Sequence, residues 1–298
     1  MNSESKQKLF GKIKKNMVGW VLILPTILAF ILFVWRPIII GIGYSFFDLR
    51  GFKIQEFVGL KNYVTILTDT NFLRTLWNTI SYVLWSLVLG LPLPFFVAVM
   101  LNEMKFGKQY FKISTYLPCV LPGMAVYLLW TMIYGESSTG LINSFLNVLG
   151  LENMQFLSDG NLVIMYIVLM MTWQSFGSTT IMYLATLQGV DQSLYEAARL
   201  DGAGLWQRFK NVTFPHCRGI ILLLAVKQII GVFSITEQPM VMTGGGPNGA
   251  SLSLGLTNYY YAFKYNQMQN SLALGVVTFV FLVGLTIVYF HLDKKINE

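Results

Sequence analysis

Of the chain's 298 residues, 54% are hydrophobic and only 12% charged, and its mean hydropathy of +0.57 excludes an ordinary soluble domain and places it in a bilayer. The net charge of +7 is spread over the segments that flank the apolar runs. That distribution argues against nucleic acid and for anionic membrane lipid as a partner.

Crossing a bilayer takes about 20 apolar residues. Six runs meet that length, at 17–35, 80–101, 113–134, 162–187, 220–242 and 271–290. They predict an all-α polytopic fold, a single transmembrane domain over 17–298 behind a basic N-terminal segment, 1–16. The first run follows Lys6, Lys8, Lys12, Lys14 and Lys15. It is longer than the apolar core of a secretory signal, and no small-x-small cleavage site follows it, so it reads as a retained span. With both termini inside, the cytoplasmic segments hold fourteen Lys and Arg and the outer ones six, the bias expected of a membrane protein.

The first outer segment, 37–79, contains the amphipathic stretch Tyr63 to Leu67. The second, 135–161, contains the helically spaced stretch Leu141 to Leu149. Both read as short interfacial helices. Pro25, Pro92, Pro94, Pro118 and Pro122 fall inside runs and predict kinks, which neighbouring helices tolerate by re-satisfying freed backbone groups.

The cytoplasmic island 188–215 is too structured for a plain connection. Glu196-Ala197-Ala198-Arg199-Leu200 is helix-forming and is closed by Asp201-Gly202, where glycine takes a left-handed conformation. Leu205 and Phe209 then share one face of a second short helix beside Trp206, and Pro215 suits the first turn of the next span. The fifth run carries Lys227 and Glu237, and charge inside a span marks a functional candidate. Lys227 lies 12 positions after Pro215, or about 18 Å along a helix. Gly231, Ser234 and Gln238 should share its face as a polar stripe, either lining a lumen or bonding to another helix. Thr243-Gly244-Gly245-Gly246-Pro247-Asn248-Gly249 breaks the chain before the aromatic cluster Tyr259, Tyr260, Tyr261 and Phe263.

No G-x-x-x-x-G-K-[ST] phosphate loop occurs, so ATP hydrolysis is not expected of this chain. His216 and His291 lack companion ligands, Cys119 and Cys217 imply no disulfide framework, and no triad or carboxylate pair emerges. Neither a metal nor a catalytic residue is predicted, nor a cofactor held by this chain.

The island resembles the EAA loop of the membrane subunits of ATP-binding-cassette importers, whose pattern is E-A-A, three residues, G, nine residues, I-x-L-P. Glu196, Ala197, Ala198, Gly202 and Pro215 match; Val212 and Phe214 replace the Ile and Leu. The Asp201-Gly202-Ala203-Gly204 continuation and the Thr243 to Pro247 turn narrow the likeness. It points to the carbohydrate-uptake permeases, close to the larger membrane subunit of the maltose transporter and its lactose, raffinose and glycerol-phosphate relatives. The resemblance implies ATPase coupling through Glu196, Ala197, Ala198, Asp201, Gly202, Leu205, Trp206, Phe209 and Pro215. It also implies a homologous second permease as heterodimer partner, two ATPase subunits holding ATP and Mg, and an extracytoplasmic solute-binding protein in a prokaryotic cell membrane. Positions that touch sugar in that family fall on Gln174, Ser175, Ser178, Gln228, Gly231, Val232 and Ile235, beside Lys227. Val232 and Ile235 replace amide-bearing residues, so the contacts must differ or the membrane site is vestigial. Trp173 and Phe233 are candidates to stack on a sugar ring or, more plainly, to pack in the bundle.

Two alternatives stand beside carbohydrate uptake. One is a permease for an anionic solute such as a glycerophosphodiester, with Lys227 as counter-charge. The other is a secondary transporter, which should show similar halves, and none is visible.

Overall fold

The computed structural model describes residues 17–51, 53–104, 106–137 and 140–297. The basic segment 1–16 and Lys105 lie outside them. The chain is mostly helical. Helix α1 (Met17–Phe30) runs through a π turn, Ile31–Trp35, into α2 (Arg36–Tyr44). The first span is therefore longer than the predicted 17–35, and the π turn has a local cause. Pro37 has no N–H to donate, and the Arg36 N–H bonds back five residues to the Ile31 carbonyl.

The expected all-α fold needs one correction. Strands β1 (Phe47–Arg50) and β2 (Lys53–Phe57) form an antiparallel hairpin, with Phe47 opposite Phe57 and a register shift after Asp48. Gly51 sits in the turn at φ +64. The buried amide of Asn62 holds the hairpin's base by donating to the Ser45 and Phe47 carbonyls at 2.8 and 2.9 Å. Asn62 belongs to α3 (Lys61–Thr68), which covers the predicted amphipathic stretch.

Helices α4 (Thr70–Gly90) and α5 (Pro92–Glu103) form one 34-residue rod interrupted at Leu91, starting ten residues before the predicted second span. The predicted third span is two helices, α6 (Lys108–Val120) and α7 (Gly123–Ile133), bent by 96°. Pro122 caps α7 in an extended conformation, so the predicted kink is a break. Helix α8 (Leu141–Val148) follows. Its Asn143 is fully buried, with the amide nitrogen within hydrogen-bond distance of the Gly135, Glu136 and Met154 carbonyls and the amide oxygen accepting from the Met154 N–H.

The central element is α9 (Val163–Gln188), which packs on α4, α5, α6 and the fifth span. At 26 residues it is about 39 Å long. Thr172, Gln174, Ser175, Ser178, Thr179 and Thr180 run through its middle and lower its hydropathy. Among the described residues four other helices are both long and apolar enough to cross a membrane, at 19–44, 70–103, 205–233 and 268–291, and the bent α6–α7 pair counts as one more.

The island forms α10 (Gln192–Leu200) and α11 (Leu205–Arg208). The second half is not a separate short helix: α11 continues through a π turn, Phe209–Thr213, into α12 (Phe214–Phe233). Pro215 follows that turn as Pro37 follows the first. The fifth span ends at Phe233 rather than Met242, and α13 (Glu237–Thr243) begins after an irregular step. Glu237 is therefore an exposed first-turn residue of a seven-residue helix, outside the continuous span. Helix α14 (Leu254–Tyr259) and the π turn Tyr260–Lys264 place the aromatic cluster on helix, with the Lys264 ammonium 4.4 Å from the Tyr260 ring. Helix α15 (Met268–Asn297) closes the chain.

The glycine-rich turn is tied to the bundle by side chains of α4. Asn78 donates to the Gly249 and Leu252 carbonyls, and the Tyr82 hydroxyl to the Ser251 carbonyl at 3.0 Å. Gly245 sits at φ +86, where an L side chain is strained, and a Cβ there would lie 2.6 Å from a Leu252 methyl and push it out of place.

Helices α6 and α9 cross closely at Gly177, where a Cβ would collide with backbone atoms of Thr115 and Tyr116. Backbone cannot yield as a flexible side chain can. Gly177→Val is expected to destabilise the fold by at least about 2 kcal/mol, read as a lowered unfolding temperature of the purified protein. An unchanged temperature would refute this crossing.

Candidate functional site

A cavity of about 280 Å³ opens beside the middle of α9 and the C-terminal half of α12. From α9 it is lined by Met171, Gln174, Ser175, Ser178 and Thr179; from α12 by Leu224, Lys227, Gln228, Gly231 and Val232. Leu91, at the break between α4 and α5, and Ile235 and Gln238, at and after the break in the fifth span, complete it. All eight residues singled out in the sequence as substrate candidates therefore meet in one place.

Their chemistry differs by position. The Ser175 hydroxyl donates to the Met171 carbonyl at 2.9 Å and that of Ser178 to the Ser175 carbonyl at 2.8 Å. Each thus keeps its oxygen as an acceptor. Gln174, Gln228 and Lys227 bring amide and ammonium donors. Val232 and Ile235 are buried, at 2% and 6% exposure, and form an apolar backing. The predicted stripe is broken where α12 ends: Ser234 bonds back to the Ile230 carbonyl and does not line the cavity, while Gln238 returns on α13 and donates to the Tyr127 hydroxyl at 3.3 Å. The Ile235 carbonyl, freed by the break, accepts from the Ser253 hydroxyl at 2.6 Å.

Neither stacking candidate faces the cavity. Phe233 is buried and stacks on Phe281, with ring centroids 4.9 Å apart, and Trp173 meets Trp130 edge-on at 5.6 Å. The contribution of α4 and α5 escaped the sequence reading. At Gly90 a Cβ would sit 3.1 Å from the Gln228 amide nitrogen, so this glycine makes room for a lining side chain. The signal available was the Gly90-Leu91-Pro92 discontinuity.

A second site is the helical hairpin around Gly202. Asp191 caps α10 by accepting from the Ser193 N–H at 2.9 Å, and that bond holds its carboxyl below the usual carboxylate range. The cap is thus intact above that range and is lost only as pH falls through the lowered value. Gly202, at φ +75, ends α10: its N–H bonds to the Arg199 carbonyl and the Ala203 N–H to the Ala198 carbonyl, the paired bonds of a Schellman ending. Gly204 then starts α11, its N–H bonding to the Gln207 side chain at 2.8 Å. Tyr195 bonds to Thr213 at 3.0 Å and ties the two arms together.

Glu196, Ala197, Asp201 and Gly202 are exposed and Ala198 half-buried. Leu205 and Trp206 are 75% and 69% exposed, and Leu200, not singled out in the sequence, 90%. Phe209, expected on one face with Leu205, is half-buried where Leu205 is exposed. It stacks on Trp206 at 5.3 Å and on Phe96 at 6.2 Å, and also meets Phe95 and Phe214, so it fastens the hairpin to the first half of α5. Glu196 borders a cleft with Asn102, Glu103, Lys108 and Arg199. Among the described residues no group of three His, Cys, Asp or Glu is placed to hold a metal.

Residues 90–298 match the model of the family described as "Binding-protein-dependent transport system inner membrane component". The match takes in both cavity helices and the hairpin. The chain is 31% identical over 291 residues to the probable ABC transporter permease protein YurN of Bacillus subtilis (strain 168), covering 96% of this chain and 99% of that one. It is 30% identical over 283 residues to the arabinooligosaccharides transport system permease protein AraP of the same organism, covering 94% and 89%. Its fold is similar, at a TM-score of 0.87 and 25% identity, to a chain of a bacterial ABC transporter involved in the import of the acidic polysaccharide alginate, covering 98% and 100%. The chain belongs to the family of inner-membrane components of binding-protein-dependent transport systems.

Proposed function

We propose that this chain is one of two homologous permeases of an ATP-driven importer that takes up a carbohydrate, delivered by an extracytoplasmic binding protein. It is a transport subunit. ATP and Mg belong to two partner ATPase subunits. The observation that carries the reading is the cavity: amides, hydroxyls and an ammonium from two central helices, backed by aliphatic side chains, suit a polyhydroxyl solute. AraP, with its arabinooligosaccharides, and the alginate transporter support an oligosaccharide cargo.

Six spans fit this role, with α9 and the bent α6–α7 pair added to the four most apolar helices and both termini cytoplasmic. None of the apolar window of helix 19–44 is buried within the chain, so lipid and the second permease are its available covers. The hairpin acts as the coupling handle. Glu196 is free for a basic partner, and Leu200, Leu205 and Trp206 offer apolar area. Because α11, the π turn and α12 are one continuous helix, a push on Trp206 is carried to Gly231, 25 residues and about 38 Å away.

Three outcomes test this. The purified complex with its binding protein should raise its ATP hydrolysis when given a cognate oligosaccharide and not when given an ion gradient alone. Glu196→Lys should abolish uptake while the complex still reaches the membrane; normal uptake would sink the coupling role. Gly90→Leu should drive Gln228 from its place and lower uptake about tenfold, the equivalent of one hydrogen bond of about 1.4 kcal/mol. Unchanged uptake would remove Gln228 from the path.

A further inference from the structure

Among the described residues, Lys227 is the one ionisable side chain that lines the central cavity, and no Asp or Glu lines it. Its exposed ammonium stands among the amides of Gln174 and Gln228 and the hydroxyls of Ser175, Ser178 and Thr179. A neutral sugar needs only the amides and hydroxyls. A cation held about 18 Å along the helix from Pro215, with no carboxylate lining the same cavity among the described residues, is open to an anion that reaches it. Charge-assisted bonds from an ammonium to a carboxylate are also shorter and roughly twice as strong as neutral ones.

We infer that the cavity takes an acidic saccharide, one whose ring carboxylate is received by Lys227 while its hydroxyls are received by Gln174, Gln228 and Ser178. The inference rests on the carbohydrate reading and adds the charge of the substrate. One ammonium matches the single charge of a uronate. The dianion of a phosphate monoester would outweigh it, and a phosphodiester, also a monoanion, forms a separate arm of the test.

The experiment uses the assembled complex in nanodiscs without its binding protein, so that selectivity belongs to the membrane subunits. Titration calorimetry compares di- to tetrasaccharides that carry a single uronate residue with their methyl esters, which keep shape and lose charge. The acids are expected to bind at least about tenfold tighter than the esters, the range of one hydrogen bond to a charged group. That ratio should fall below about twofold in Lys227→Gln and persist in Lys227→Arg, because only the glutamine lacks a charge. It should also shrink as salt is raised. Equal affinity for acid and ester in the parent, or an unaltered ratio in Lys227→Gln, overturns the inference and leaves the carbohydrate reading standing. Binding of a glycerophosphodiester with no saccharide bound at all overturns both.

Discussion

In hydrocarbon no water is available to a broken helix, so every interruption must have its freed backbone groups covered by protein or opened onto a cavity. The rest of this structure depends on that constraint. The breaks at Leu91 and at Ser234 to Thr236 border the cavity, and the second is covered by Ser253 bonding to the Ile235 carbonyl. Gly255 sits so close to that carbonyl that a Cβ there would collide with it. The irregular backbone at these two breaks thus meets the polar side chains of α9 and α12 in one place.

The same constraint explains what was legible in the sequence. Apolar runs revealed the helices because length and composition are local properties. Gly202 revealed the turn of the hairpin because only its left-handed backbone conformation closes α10 in this way. The π turns at Ile31–Trp35 and Phe209–Thr213 were not legible, although each precedes a proline. Periodicity cannot distinguish a helix that stops before proline from one that absorbs the missing donor by widening. The β1–β2 hairpin was hidden because β2 is exposed along its whole length, so no buried face imposes an alternation of apolar and polar residues on it.

Within the candidate site, the cavity residues on α9 and α12 could be placed by resemblance and spacing because those helices are regular from Val163 to Gln188 and from Phe214 to Phe233. Extrapolating past Phe233 misplaced Ser234, since the 100° step no longer applies once the helix ends. Phe209 was placed on one helical face with Leu205 from their spacing. Its packing against Phe95 and Phe96 depends on a helix more than a hundred residues earlier, and no local pattern carries that information.

The hairpin and the cavity lie along one continuous helix, so under the proposed coupling a movement of the first changes the exposure of the second. Ser178, on α9 in the cavity wall, is the place to see it. In a complex whose Cys119 and Cys217 have been replaced, Ser178→Cys can be probed with a membrane-impermeant thiol reagent applied to either side, with and without ATP. The account predicts that labelling switches from one side of the membrane to the other when ATP binds; labelling from the same side in both states would contradict it.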